Sequence, residues 1–174
     1  MRFVFPCEEY EQKARDFIQE LRDYSSEIHG TGGLDDFLDK YTYSEWLTKT
    51  LHDIDIVNIP EGRVPALTYF YVREEDDKIV GMINIRLALN DFLRAEGGHI
   101  GYCVRPTERG KGYATAMLCE AIKRCRTIGM SDFLITCDKE NHASSGVIKS
   151  CGGILEAEFY SETFKETIQR YLIK

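Results

Sequence analysis

The order of elements legible in this chain predicts a mixed α/β fold built on a central sheet. Three observations carry that reading. A helical period runs through the N-terminal part, an antiparallel hairpin follows, and then come strand, glycine-bearing turn, helix, strand, short helix and a last hairpin. Hairpins interleaved with amphipathic helices bury their apolar faces as a sheet flanked by helices.

Taken in order, Tyr10, Ala14, Phe17, Ile18 and Leu21 recur with a period near 3.6 and predict the first helix. A glycine-rich connection, Ile28 to Leu34, separates it from one or two further helices marked by Leu34, Phe37, Leu38, Tyr41 and by Trp46, Leu47, Leu51. Pro60, Gly62 and Pro65 mark a loop. Leu67–Arg73 and Ile79–Leu87 alternate as strands around the polar turn Glu75-Asp76-Asp77. A strand His99–Val104 leads into the turn Arg109–Gly112 and a long amphipathic helix, Tyr113 to Ile128, that stops at Gly129. Phe133–Asp138 is a buried-type strand. Asn141 to Cys151 is a short helix, capped by Asn141 and closed by Gly152-Gly153. Ile154–Phe159 and Thr167–Ile173 complete a final hairpin. With no repeat and no long linker, residues 1–174 are expected to form a single domain.

Apolar residues make up 43% and charged ones 29% of the 174, a globular balance with enough chain for a real core. The net charge of −7 supplies no broad basic face, so nucleic acid and membrane surfaces are not expected as partners. No apolar run reaches the roughly 18 residues of a membrane span, and the N-terminus turns acidic too soon for a signal peptide. The six cysteines avoid C-x-x-C spacing. They read as small buried hydrophobes of a reducing, cytoplasmic protein, and no metal site is expected.

The stretch Arg109-Gly110-Lys111-Gly112-Tyr113-Ala114 carries the chemistry. A helix that begins straight after a strand and a glycine turn points unpartnered N–H groups at the space before it, and its dipole adds positive charge there. Gly110 and Gly112 admit positive φ and close approach of a phosphate. Arg105, Arg109 and Lys111 add full charges around the turn. Two familiar nucleotide motifs are excluded by spacing: there is no G-x-x-x-x-G-K-[ST], and Thr115 stands where a dinucleotide fingerprint needs glycine or alanine.

The pattern Arg109-x-x-Gly112-x-Ala114 resembles the R/Q-x-x-G-x-G/A pyrophosphate loop of the GCN5-related N-acetyltransferases (GNAT). Gly97-Gly98-His99-Ile100-Gly101-Tyr102-Cys103-Val104-Arg105-Pro106 and Ile135-Thr136-Cys137-Asp138-Lys139-x-Asn141 resemble an uncharacterised bacterial branch of predicted acetyltransferases. The resemblance covers nearly the whole chain. It implies a mostly antiparallel central sheet splayed at the fourth and fifth strands, and acetyl-CoA as co-substrate. Amides of Gly110, Lys111, Gly112, Tyr113 and Ala114, with Arg109, would hold the pyrophosphate. Main-chain groups of Tyr102, Cys103 and Val104 would pair with the pantetheine arm and polarise the thioester carbonyl. Asn141 and Ser144 would touch the cofactor. Direct attack of a neutral amine then needs a proton acceptor, and the leaving thiolate needs a proton from a protein group or from solvent.

His99 is the candidate base, with a structural histidine bonded to backbone as its competing reading; an unperturbed imidazole titrates near neutrality. Relatives more often carry Glu there. Many also place a Tyr about seven residues after the Asn, where this chain has Ile148. Asn84, Arg86 and Asp138 are candidates for binding the acceptor, set against an exposed sheet face and a strand end. The loop Gly30–Gly33 is either a flexible cover or a turn. Trp46 and Tyr69–Tyr71 read as core. The activity expected is N-acetyl transfer to a small-molecule primary amine, with a protein or peptide acceptor, or a non-catalytic acetyl-CoA sensor, as alternatives. A homodimer through the final hairpin or a sheet edge is also expected.

Overall fold

A computed structural model of the chain describes residues 1–57 and 59–174. The elements in order are β1 (Arg2–Val4), α1 (Glu11–Asp23), α2 (Leu34–Lys40), α3 (Tyr43–His52), β2 (Ala66–Arg73), β3 (Lys78–Arg86), β4 (Ile100–Val104), α4 (Tyr113–Thr127), β5 (Phe133–Asp138), α5 (His142–Ser150), β6 (Ile154–Ser161) and β7 (Glu166–Ile173). The described strands form two antiparallel sheets, ordered β1-β2-β3-β4 and β5-β7-β6. The mixed α/β fold expected from the sequence is the one observed. The strand β1, which pairs Arg2 with Val72 and Val4 with Phe70, was not expected.

Alternation along β3, reset at Val80 where the register with β2 shifts between Tyr71 and Val72, explains the layering. Val80, Ile83 and Ile85 turn to one face and join Met117, Leu118, Ala121 and Ile122 of α4 with Ile148 of α5. Ile79 and Met82 turn to the other face and join Phe17, Leu21, Leu34 and Trp46 of α1–α3. Trp46, Tyr43, Phe17, Phe70 and Phe133 have essentially no exposed surface. Each such side chain contributes about 1.5–3 kcal/mol when fully buried. Trp46 is core, as its helical spacing indicated. Helix α3 starts on a capping box: Glu45 N–H donates to Thr42 Oγ1 at 3.2 Å, and Thr42 N–H donates to Glu45 Oε2 at 2.7 Å.

The cysteine expectation is corrected in part. Cys119 of α4 and Cys151, at the C-terminus of α5, form a disulfide across a Cα–Cα distance of 5.4 Å. Cys103, Cys125 and Cys137 are buried thiols and Cys7 is half-buried. Residues 32 apart come together because α4 packs on α5, which their spacing in the chain did not reveal. The cysteines therefore lend no support to a reducing compartment. No described helix is long and apolar enough to cross a membrane.

Candidate active site

The two sheets part between β4 and β5. At the start of both strands they are held together: His99 N–H donates to Leu134 O at 2.6 Å, and Leu134 N–H donates to Nδ1 of His99 at 2.9 Å. Beyond that junction β4 pairs with β3 alone. Arg86 N–H donates to His99 O and Arg105 N–H donates to Val80 O, so the odd residues of β4 address β3. By alternation the main-chain groups of Tyr102 and Val104 face the gap, whereas those of Cys103 are turned to β3. Of the three residues expected to offer main-chain groups, Tyr102 and Val104 turn theirs toward the gap and Cys103 turns its own toward β3.

At the far end of the gap stands the turn before α4. Gly110 and Gly112 adopt φ of +76° and +79°, and a Cβ added at either meets nothing within 4 Å. Their conformation, not crowding, requires glycine. Gly112 is the N-cap of α4 with no side-chain cap, and the first bond into the helix is Ala116 N–H to Gly112 O at 3.0 Å. Among the described residues nothing accepts from the N–H groups of Lys111, Gly112, Tyr113, Ala114 or Thr115. Free donors at the positive end of a helix are the arrangement that suits an anion.

Acidic residues fix this turn from behind. Glu108 is buried and meets Arg73 at 2.9 Å, Lys78 at 3.0 Å and Lys111 at 2.8 Å. Its hydrogen bond from Lys111, with those from Lys78 and Arg73, lowers its pKa to about 2 despite the opposing effect of burial. Arg105 is buried too; its Nε donates to Ile79 O at 2.9 Å and its Nη1 to Glu20 at 2.7 Å. Glu20 also accepts from Thr107 N–H and Oγ1. Arg105 is thus spent on structure, contrary to its expected place among the charges facing a phosphate. Arg109 donates from Nε to Val104 O at 3.1 Å and from Nη2 to Ser26 Oγ at 3.0 Å, bracing the turn against β4 and the connection that follows α1. The roles of Glu20 and Glu108 leave no signature in the sequence, because each depends on partners distant in the chain.

The first turn of α5 forms the opposite wall. Asn141 is its N-cap, with Oδ1 accepting from Ser144 N–H at 3.0 Å. Tyr102 crosses the gap: its hydroxyl lies 2.9 Å from Ser144 Oγ and 3.4 Å from Ser144 O. Ile148 has no exposed surface and belongs to the core, so that position offers no polar group.

His99 does not have the geometry of a free base. Its Nδ1 lone pair is taken by Leu134 N–H, so the neutral ring carries its proton on Nε2. Burial lowers its pKa, and Arg94 and Arg86 push the same way against the Leu134 hydrogen bond. That arrangement argues for a structural histidine joining the two sheets and against the proton acceptor expected from the sequence. Arg86 is held by the carbonyls of Gly97 and Gly98 through Nη1 at 2.8 and 2.9 Å. Asn84 is buried and donates to Thr68 Oγ1 at 3.0 Å. The loop Gly30–Gly33 closes over this region: a Cβ on Gly30 would come within 2.3 Å of Gly101 O, and one on Gly32 within 2.5 Å of Thr68 Oγ1. Trp46 Nε1 and Lys49 Nζ both donate to Gly32 O. The loop is therefore a pinned turn, and it covers Asn84. Asp138 accepts from Glu140 N–H at 3.1 Å at the end of β5. Nearby Glu166 has a raised pKa, from burial and then from the negative charges of Asp138 and Glu27. No cluster of three or more His, Cys, Asp or Glu suited to a metal exists among the described residues.

A gap between two splayed strands, ending at an open helix N-terminus, matches a known family. The family profile described as acetyltransferase (GNAT) domain matches residues 13–154. The chain belongs to the GNAT acetyltransferases. Solved structures agree on the fold. The microcin C7 self-immunity acetyltransferase MccE, in complex with acetyl-CoA and AMP, has a TM-score of 0.70 and 19% identity, over 98% of this chain and 90% of that one. RimL, the ribosomal L7/L12 α-N-protein acetyltransferase in complex with coenzyme A, has a TM-score of 0.69 and 16% identity, over 98% and 92%. Spermidine N-acetyltransferase from Vibrio cholerae, in complex with CoA and spermine, has a TM-score of 0.67 and 15% identity, over 99% and 94%. A search of curated proteins by sequence found no match.

Proposed function

We propose that this acetyltransferase moves the acetyl group of acetyl-CoA to the primary amine of a small molecule, by direct attack of the amine on the thioester. The observation that carries the reading is the open amide cradle at 111–115 standing at the mouth of the β4–β5 gap. The cradle fits a diphosphate, because five unpartnered N–H groups at a helix N-terminus are matched by an anion with several oxygens. From there the pantetheine arm lies along the free edge of β4 and pairs with it as an added strand. The N–H of Tyr102 faces that path and polarises the thioester carbonyl, an oxyanion-type contribution of roughly 3–4 kcal/mol for a well-placed donor. Asn141 keeps its amide nitrogen for the arm while its oxygen caps α5.

A cationic acceptor is supported by the carboxylates of Asp138 and Glu27, whose negative charges add to burial in raising the pKa of Glu166. The spermidine enzyme acts on such an amine and RimL on a protein N-terminus, so both acceptor classes occur on this fold. Exposed Ile154 and Leu155 on the edge strand β6 support a homodimer through that edge. The test is titration calorimetry with acetyl-CoA, then release of free coenzyme A across a panel of diamines, amino acids and peptides. Micromolar binding and turnover with a small amine are expected. Absence of acetyl-CoA binding sinks the reading, and turnover with peptides alone reassigns the acceptor.

A further inference from the structure

The leaving sulfur is the reacting atom for which the proposed transfer has no protein partner. Ile148 lies in the core without a hydroxyl, so α5 does not supply one from that position. The β4 side of the gap does. Tyr102 extends from β4 over the gap, its hydroxyl 2.9 Å from Ser144 Oγ, and the Cys137 thiol sits beside the same serine. Ile100, Tyr102 and Val104 share one face of β4, so the Tyr102 ring rises on the α4–α5 side of the path while its own N–H points into it. The carbonyl oxygen and the sulfur of a thioester are bonded to the same carbon. One residue is therefore placed to serve both.

We propose that the Tyr102 hydroxyl is the hydrogen-bond donor that receives the negative charge on the leaving sulfur, turning to it from Ser144 when the cofactor is in place. The proposal rests on the acetyl-CoA reading above. In the step itself the amine nitrogen forms a bond to the carbonyl carbon, and the carbonyl π pair moves onto oxygen, facing the Tyr102 N–H. That pair returns, the C–S bond breaks, and its electrons leave on sulfur, which accepts from the Tyr102 hydroxyl. The surplus proton on nitrogen passes to solvent. The products are amide, thiolate and one proton, with no further reactant. Burial pushes the Tyr102 hydroxyl up to about 12, whereas an ordinary thiol titrates near about 8.5. A phenol that much weaker keeps its proton beside a thiolate. It stabilises the charge as a donor and is not consumed as an acid.

The test needs no acceptor. Coenzyme A bound to the full chain is titrated with pH by its ultraviolet thiolate absorbance, with the desulfo-coenzyme A complex as the baseline for protein tyrosines and thiols. A hydrogen bond to a charged group shifts such a titration by about one pH unit or more. The bound thiol is therefore expected about one unit or more lower in wild type than in Tyr102→Phe, with Ser144→Ala following wild type. Equal values in wild type and Tyr102→Phe overturn the proposal. A high value in Ser144→Ala with a low one in Tyr102→Phe also overturns it and moves the role to the serine. Should Tyr102→Phe not fold, a wild-type value no lower than that of free coenzyme A overturns it without a variant. Failure of coenzyme A to bind wild type is a different result, which removes the acetyl-CoA reading and not this residue alone.

Discussion

The backbone N–H of Leu134 donates to Nδ1 of His99 at 2.9 Å, so a side chain completes the join between two sheets that then separate. A glutamine amide oxygen can accept the same bond and a leucine cannot. His99→Leu should cost about 1–3 kcal/mol by leaving a buried N–H unpaired, and His99→Gln should cost less, both read by urea unfolding. The sign with pH follows from burial, which depresses the folded pKa of His99. The stability it contributes is whole above the unfolded value of about 6.5 and is lost as pH falls below it. In His99→Gln that component disappears. The rate–pH profile of His99→Gln should run parallel to wild type. A rate lost at neutral pH and recovered at high pH would reinstate the histidine as base.

Gly112 sits at φ +79° with open space where a Cβ would go. A side chain there costs about 1–2 kcal/mol of left-handed backbone strain, too little to unfold a chain of this size. The added group would fill the cradle that the N–H groups of 111–115 surround. Gly112→Trp should keep its circular dichroism spectrum and lose acetyl-CoA affinity by at least about a hundredfold. Undiminished affinity in the folded variant would place the pyrophosphate elsewhere.

Local signals made the scaffold legible and long-range ones did not appear in the sequence. Helix α4 was bounded by glycines at both ends, and Asn141 marked the start of α5 as a cap, because those preferences act within a few residues. The alternating runs marked β2 and β3, the apolar runs marked β4 and β5, and the last hairpin marked β6 and β7. The three residues of β1 carry too little alternation to declare a strand, and only pairing with β2 makes them one. The amide cradle could be read because a glycine turn and a helix start are neighbours in the chain. Its supports could not: Glu20 reaches residues 105 and 107, and Glu108 reaches residues 73 and 78. For the same reason Tyr102 promised main-chain groups while its hydroxyl, bonded to Ser144, went unseen.

Glu108 is the acid on which the cradle turn is built, and its pKa of about 2 makes it a source of pH-dependent stability. A depressed folded value means the contribution is complete above the unfolded carboxylate value of about 4.3 and is lost as pH falls toward 2. At neutral pH it is on the order of 2 kcal/mol. Glu108→Gln leaves Arg73, Lys78 and Lys111 crowded without their common counter-charge, so it should be destabilised at pH 7. Its deficit against wild type should shrink as pH drops through the carboxylate range. A deficit independent of pH in guanidinium-free thermal melts would show that packing, not charge, is what Glu108 supplies.

The disulfide between Cys119 and Cys151 closes a loop of 32 residues that contains the whole of β5 and α5. Restricting the unfolded chain over that length is worth about 3–4 kcal/mol on a chain-entropy basis, or about 10 °C in Tm. Reduction should lower Tm by that amount, and Cys151→Ser should match it and gain no further sensitivity to reductant. Because the bond pins the C-terminal end of α5 to α4, its loss should also loosen the wall that carries Asn141 and Ser144, raising the Kd for acetyl-CoA. Thiol counting under denaturing, non-reducing conditions should find the four free cysteines out of six. Six reactive thiols, with a Tm indifferent to reductant, would mean the two sulfurs only lie close together and the helices hold without them.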